Sequence, residues 1–397
     1  MDEHPPFTPD TLRPWLAALP VAGERIGGDP AAWTITEVGD GNLNLVFLVE
    51  GRGAGVCVKQ ALPYVRLVGP SWPLPQERAF FEQACLTEHG RHAPGLIPEL
   101  LHYDPERFCI VMERLHPHII MRKGMIAATR YPGFADAIST YLARTLFFTS
   151  DLAMEAGPKR RLVARFSANT ALCRITEDLI FTDPYRTHPL NRWTSPQLDG
   201  LKAAFERDTQ AKIAVSRLKA RFLASTEALI HGDLHTGSIM VTEADTRVID
   251  PEFSFVGPMG FDIGAVLGNL LLNYLAQDGH ATPADPRDAY QEWVLEQVEA
   301  VWTLFRAKFL DLWRSEAKGD LYPIELFADA AGKAALEAER QRWMDRLFAD
   351  TLGFAAAKMI RRILGLAHNI DLEWIADPDV RASCERRCLT LARALLV

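Results

Sequence analysis

The chain has 397 residues, 48% of them apolar and 24% charged, which suits a globular protein of two domains or lobes with ample core burial. A formal net charge of −8 and the lack of any Lys/Arg run argue against a nucleic-acid partner. The six cysteines have no C-x-x-C spacing; Cys384 and Cys388 lie four apart and read as two buried residues on one helix face rather than a metal or redox pair.

Taken in chain order, the first twenty residues carry Asp2, Glu3 and several prolines and no apolar core of signal-peptide length, so the expected compartment is a reducing cytoplasm. A short helix is predicted from Pro9 to Leu19. From Trp33 the period becomes two. A strand Thr34–Val38, the turn Gly39-Asp40-Gly41-Asn42, a strand Leu43–Glu50, the turn Gly51-Arg52-Gly53 and a strand Gly55–Lys59 make an antiparallel meander. The G-x-G at 39–41 is by itself a hairpin turn, since no helix follows it. On the third strand Val56 and Val58 face one way, and Cys57 and Lys59 the other. A helix from about Gln76 to Glu88 and two strands, Pro98–Tyr103 and Phe108–Met112, complete a first lobe of residues 1–115.

Residues 116–397 read as mostly helical, with apolar periodicity over Gly133–Met154, Lys159 to about Asp178, Leu198–Leu223 and Tyr290–Arg314. The proline-rich stretch between Thr182 and Gln197 is either a surface connection or, because Trp193 is costly to leave bare, a lid over a substrate. Asp262 stands where the N-cap of an apolar helix, Ile263–Leu275, belongs. The longest apolar run, within Ile263–Ala276, is broken by Asn269 and Asn273 and is too short to span a bilayer, so no membrane contact is expected. A last helix, Gly353–His368, is apolar except for Lys358, Arg361 and Arg362. Their spacing of three and one puts them on one face, either a solvated stripe or a set of cations aimed at a substrate.

The chemistry concentrates in HGDLHTGSIMVTEADTRVIDPEF, His231 to Phe253. One carboxylate, Asp233, precedes an apolar strand Ile239–Val241; a polar turn and a second strand, Arg247–Ile249, lead to Asp250, with Glu252 two residues on. A hairpin would return Asp250 to the end where Asp233 lies. One acid to orient a hydroxyl and an acidic pair to hold Mg²⁺ on a nucleotide's phosphates is the layout that phosphoryl transfer needs.

These residues resemble the catalytic and metal loops of the protein-kinase-like small-molecule kinases, the aminoglycoside and choline phosphotransferase group. Two departures, Ser238 where that group carries a metal-binding Asn and Asp250-Pro251-Glu252 where kinases read D-F-G, make the stretch similar to the methylthioribose kinases of methionine salvage. The resemblance runs from about Gly39 to Asp371. It implies an α+β, protein-kinase-like bilobal fold: an N-terminal lobe of antiparallel sheet plus helix with a hinge at its end, and a mostly helical C-terminal catalytic lobe. It further implies ATP-dependent phosphorylation of the 1-hydroxyl of 5-methylthioribose, with ATP and Mg²⁺ as cofactors and a homodimer as the assembly. By the same resemblance Asp233 is the catalytic residue, Asp250 and Glu252 hold the metal, and Asp262 braces the catalytic loop as an alternative to capping its helix. Gly39, Gly41, Asn42, Asn44, Lys59, Glu82, Met112, Glu113 and Leu115 attend the nucleotide. Asp233, Arg361 and Arg362 attend the sugar, and on the lid reading of its loop, which comes from the residues alone, Trp193 joins them. Either Glu82 or Glu77 could pair with Lys59; Glu82, before Ala84-Cys85-Leu86, fits the family's pattern better. A sister kinase for an aminoglycoside, choline or homoserine, and a nucleotide-binding scaffold without activity, are the alternatives.

Overall fold

The computed structural model describes residues 5–39, 43–66 and 68–397. Packing divides the chain into two units: Met1–His118 with Arg247–Ser254, and Ile119–Thr246 with Phe255–Val397. Where the sequence reading divides the chain at 115/116, the packing divides it at 118/119 and gives 247–254, with Asp250 and Glu252, to the first unit.

The first unit contains two N-terminal helices, α1 (Pro9–Ala17) and α2 (Pro20–Ile26), a five-stranded antiparallel sheet and one further helix, α3 (Arg78–His92). The strands are β1 (Thr34–Glu37), β2 (Asn44–Glu50), β3 (Val56–Ala61), β4 (Leu100–Asp104) and β5 (Cys109–Glu113), in the order β1-β2-β3-β5-β4. Alternation decides which side chains go where. Phe47 and Val49 of β2, Val56 and Val58 of β3, and Val111 of β5 form one buried cluster with Leu12, Leu16, Ala22 and Ile26 of the two N-terminal helices. Each such side chain, fully buried, contributes about 1.5–3 kcal/mol. The intervening residue Lys59 is thereby directed to the sheet's other face, where α3 lies. The helix predicted as Pro9–Leu19 is in fact two, because Pro20 starts a second one at its N1 position. Its C-terminal end rests on the turn at Gly51 and Gly53, where Gly53 N–H donates to Ile26 O (2.7 Å). A Cβ at Gly51 would lie 2.5 Å from two carbonyl oxygens of that end, so the turn needs glycine.

The second unit begins with β6 (Ile119–Ile120) and α4 (Met121–Ile126), followed by α5 (Phe134–Phe148), α6 (Ala156–Phe166), α7 (Thr170–Phe181), α8 (Asp199–Arg207) and α9 (Thr209–Ala224). Then come β7 (Ala228–Ile230), β8 (Ile239–Val241), β9 (Thr246–Val248), β10 (Phe255–Gly257), α10 (Met259–His280), α11 (Asp288–Ser315), α12 (Ala330–Leu364), α13 (Ile370–Glu373) and α14 (Pro378–Leu396). β7 pairs antiparallel with β10, and β6 with β8. The turn after β8 is closed by Thr242 N–H donating to Asp245 O (2.9 Å), and β9 carries the chain back into the first unit.

Several predicted helices differ from those observed. Lys159–Asp178 is two helices, α6 and α7, and Leu198–Leu223 is likewise two, α8 and α9. The latter break falls at Asp208, whose carboxylate accepts Ala211 N–H (3.0 Å) and caps α9. The predicted Gly353–His368 is the last third of α12, a 35-residue helix capped by Asp329 and ended at Leu364. The apolar run at 263–276 extends to a 22-residue helix, α10, which by length and composition could cross a bilayer; 83% of its most apolar window is buried inside the protein, as in a core helix. Its N-cap is Pro258, and Asp262 lies inside its first turn. The core of the unit is the α10–α12 contact, where Gly260, Gly264 and Gly268 lie against Thr351 and Ala355 so closely that a Cβ on Gly264 would sit 2.8 Å from Ala355 N. Helix backbones approach this closely only where small residues line the seam.

Candidate active site

In the first unit, β3 presents Lys59 to α3. Its Nζ lies 2.7 Å from Glu82 Oε2 and also contacts Asp250 Oδ1. Of the two glutamates left open by the sequence, Glu82 makes the ion pair, while Glu77 is the N-cap position of α3. Glu252 Oε2 accepts from Asn44 Nδ2 (2.8 Å), and Arg78 Nε stands 3.5 Å away. Arg78 in turn donates to Asn44 Oδ1 (2.8 Å), Leu62 O (2.7 Å) and Leu43 O (2.9 Å). Asn44 and Arg78 thus form a buried clamp on Glu252, and neither role is visible in sequence spacing.

Oxygens of Glu82, Asp250 and Glu252 all lie within 4.8 Å of one another. With all groups ionised, three carboxylates face two cations, Lys59 and Arg78, leaving one surplus negative charge. Burial pushes the Glu82 and Glu252 carboxyls up; Lys59 opposes this for both, and the neighbouring acids add to it. For Lys59 burial acts downward, yet Asp250, Glu82 and Glu252 together hold it above the usual lysine range. Glu82 Oε1 is buried with no hydrogen-bond partner among the described residues. A compact set of hard oxygen donors with surplus negative charge and an orphaned oxygen fits a divalent cation such as Mg²⁺.

Around these groups, Gly39 is exposed with open space about it, and Gly41 and Asn42 lie outside the described residues. Met112 is buried in β5 opposite Cys57. Glu113 accepts from Glu99 N–H (3.1 Å) and pairs with Arg247 (3.5 Å), so its side chain is engaged within the protein, while Leu115 is half-buried in irregular chain.

In the second unit, the loop after β7 is fixed from α10. His231 N–H and Gly232 N–H donate to the two oxygens of Asp262 (2.6 and 3.0 Å), so Asp262 braces this loop and does not cap its helix. Gly232 holds φ at 84°, a value glycine takes without strain. Asp233 follows. Its Oδ1 accepts from Lys358 Nζ at 2.7 Å, and its Oδ2 lies 3.4 Å from His235 Nε2. Ser238 Oγ donates to the Asp233 carbonyl (3.1 Å) and so tightens the loop itself. Burial acts to raise the Asp233 carboxyl, but Lys358, with Arg361 and Arg362, holds it well below the usual carboxylate range.

The cationic face of α12 is not a solvated stripe: Lys358, Arg361 and Arg362 are all buried. Arg361 Nε and Nη1 and Arg362 Nε have no hydrogen-bond partner among the described residues. Arg122 of α4 joins them. It donates to Thr236 Oγ1 (3.0 Å) and Asn269 Oδ1 (2.9 Å) and pairs with Asp371 (3.3 Å). Four cations against Asp233 and Asp371 leave this site positive. Arg122 sits in MRKGM, a stretch without periodic signal, and only the fold gives it a role.

Trp193 donates its indole N–H to Asp199 (2.7 Å) and has Lys202 Nζ 5.6 Å from its ring centre, so its observed contacts are with α8. Its loop is tied down rather than loose. Arg192 donates to Leu366 O (3.0 Å) and pairs with Glu373 (2.7 Å), and Arg381 of α14 donates to Thr194 (3.1 Å).

Residues 34–304 match the model of the phosphotransferase enzyme family. The chain is 46% identical over 394 residues to methylthioribose kinase 1 of Oryza sativa subsp. japonica, covering 98% of this chain and 91% of that one. This chain belongs to the methylthioribose kinase family. The methylthioribose kinase of Escherichia coli O45:K1 is 45% identical over 395 residues, 99% of this chain and 94% of the relative. Among solved structures, an ethanolamine kinase of Plasmodium vivax aligns over 100% of this chain and 93% of its own with a TM-score of 0.49 at 13% identity.

Proposed function

We propose that the chain transfers the γ-phosphoryl group of ATP to the 1-hydroxyl of 5-methylthioribose. The observation that carries this reading is Asp233, held as a carboxylate by Lys358 beside buried guanidinium groups with unfilled N–H donors. Such donors are costly unless a ligand supplies oxygens. In the proposed step a lone pair of the sugar oxygen forms a bond to the γ-phosphorus, the bond to the β–γ bridging oxygen breaks, and ADP leaves with that electron pair. The hydroxyl proton passes to Asp233 and then to solvent. An anomeric hydroxyl is more acidic than an ordinary alcohol, so a carboxylate of low basicity suffices as its acceptor. Arg361 and Arg362 offset charge on the phosphoryl oxygens, and most of the rate enhancement is positioning and charge neutralisation.

In the first unit Lys59, steadied by Glu82, pairs with the nucleotide's phosphates, and the backbone at 112–115 meets adenine. Asp250 and Glu252 would hold Mg²⁺, which when bound neutralises charge on the phosphates. Ser238, its hydroxyl committed to the loop backbone, is not needed as a ligand in this reading.

A cationic acceptor such as an aminoglycoside or choline would face Lys358, Arg361, Arg362 and Arg122, and that repulsion favours the neutral sugar. All six cysteines are free thiols, which supports a reducing cytoplasm as the compartment. A homodimer is part of the same proposal and is tested by light scattering. For the activity, the test is product analysis with 5-methylthioribose, ATP and Mg²⁺. Wild type is expected to give the 1-phosphate, and Asp233→Asn to lose roughly 10²–10⁴-fold in kcat. ATP turnover with an amino alcohol or amino sugar and none with methylthioribose would overturn the reading.

A further inference from the structure

Lys358 is an expensive residue to keep where it is. Its side chain is 1% exposed, on a stretch of α12 in which every residue from Gly353 to Leu364 is buried. An ammonium so placed persists only if partners replace its water. Two do: Asp233 Oδ1 at 2.7 Å, and the face of Phe261, whose ring centre lies 4.4 Å from Nζ. Phe261 belongs to α10, one residue before Asp262, and Asp262 holds the backbone of the loop that bears Asp233. The tightly seamed pair α10–α12 therefore fixes the loop through Asp262 and the Asp233 side chain through Lys358.

The other carboxylate oxygen is also assigned. His235 Nδ1 accepts Gly237 N–H (3.0 Å), which leaves the neutral ring's proton on Nε2, facing Asp233 Oδ2 at 3.4 Å. Burial, and then Arg122, Arg362 and Lys358, keep that ring neutral against the pull of Asp233. Oδ1 of Asp233 thus has one protein donor, Lys358, and a lone pair to spare, while Oδ2 has the His235 ring as its neighbour at 3.4 Å. The charged groups facing Asp233 are Lys358, Arg361 and Arg362 from α12, with Arg122 of α4 near Arg361 and Arg362. Among these, Lys358 alone contacts the carboxylate.

We infer that Lys358 is a positioning residue for the reaction: its buried ammonium locks the Asp233 carboxylate in one orientation, so that a defined lone pair is offered to the acceptor hydroxyl. This rests on the reading of Asp233 as the group that receives the hydroxyl proton. Lys358 touches no substrate in this scheme and acts through Asp233 only.

The test compares wild type with Lys358→Met and Lys358→Arg, using ATP, Mg²⁺ and 5-methylthioribose. In Lys358→Met, kcat is expected to fall on the order of 10²-fold while KM for ATP stays within about twofold. The acid limb of the pH–kcat/KM profile is expected to move upward, and Lys358→Arg to recover most of the loss. Independently of any substrate, the ¹³C carboxyl resonance of Asp233, identified by its absence in Asp233→Asn, is titrated. It is expected well below the ordinary carboxylate range in wild type and displaced upward in Lys358→Met. A wild-type Asp233 that titrates as an ordinary carboxylate overturns the inference, and that arm needs no variant at position 358 to fold. So does a Lys358→Met enzyme whose loss lies wholly in KM for ATP with an unmoved acid limb. Failure of wild type to phosphorylate methylthioribose sinks the proposed function instead, and the carboxyl titration still decides Lys358's hold on Asp233.

Discussion

Asp250 holds φ at 69°, in the left-handed region that Asp and Asn enter more readily than other non-glycine residues. The bend sets its carboxylate against Lys59, and Pro251 then carries the chain to Glu252 inside the Asn44–Arg78 clamp. Glu252 is buried in that clamp and its carboxylate lies within 4.8 Å of Asp250's, so the proposed Mg²⁺ site needs both acids. On that proposal steady-state kinetics should find Glu252→Ala nearly as damaging as Asp250→Ala, each lowering kcat roughly 10²–10⁴-fold; a mild loss at 252 would count against Glu252 as a ligand. Asp233 supplies a pH test at the same scale. Its folded-state pKa is depressed, so its contribution to stability is fully present above an ordinary carboxylate's value of about 4 and is lost as pH falls through the lower folded value. The stability gap between wild type and Asp233→Asn, read from urea midpoints, should be widest near neutrality and close on acidification.

At the scale of elements, the α10–α12 seam is the structure on which both Asp262 and Lys358 depend. Gly264→Val would drive side-chain atoms into Thr351 and Ala355, and overpacking of this kind costs about 1–3 kcal/mol. The loss should appear as a lower urea midpoint and, because the seam aims Lys358, as a lower kcat as well. α4 is joined to the same frame by the buried Arg122–Asp371 pair, whose acid also accepts from Asn273 (2.7 Å) and Asn369 (3.0 Å). Removing one partner leaves the other charge buried and unpaired, so Asp371→Leu should destabilise by about 3–5 kcal/mol, and Arg122→Met combined with it should cost less than the sum. Additive costs in equilibrium denaturation would show that the pair carries no coupling.

For the whole molecule, the two clusters differ in sign: acid surplus on the first unit, cation surplus on the second. Each should answer to its own ligand. In hydrogen-exchange measurements, ATP with Mg²⁺ is expected to slow amides in 44–61, 78–92 and 247–254, and 5-methylthioribose to slow those in 231–238 and 353–364. Protection by the sugar confined to the first set would contradict the assignment of Arg361 and Arg362 to the acceptor. Binding at a hundred times Kd adds about 2.7 kcal/mol to the apparent stability, so thermal shifts with each ligand give a second reading of the same division.

Local pattern was enough to read the meander, the lysine on β3 facing away from Val56 and Val58, the nearness of Asp250 to Glu252, and the shared face of Lys358, Arg361 and Arg362. These rest on period-two and period-3.6 geometry and on short motif spacing, which a chain carries wherever it folds. The division of long helices at Asp208 and near Asn169 and the true lengths of α10 and α12 were not legible, and the choice between cap and brace at Asp262 stayed open. Continuous apolar periodicity hides a capped break, and a carboxylate near a helix start serves a cap or a neighbouring loop equally well until the loop is in place. Arg78, Asn44 and Arg122 illustrate the limit most plainly: each is an isolated polar residue whose partner lies far off in sequence. Only tertiary packing could say that they are buried, because the low dielectric that makes an unpaired charge costly, and so fixes its partner, does not exist until the chain has closed around it.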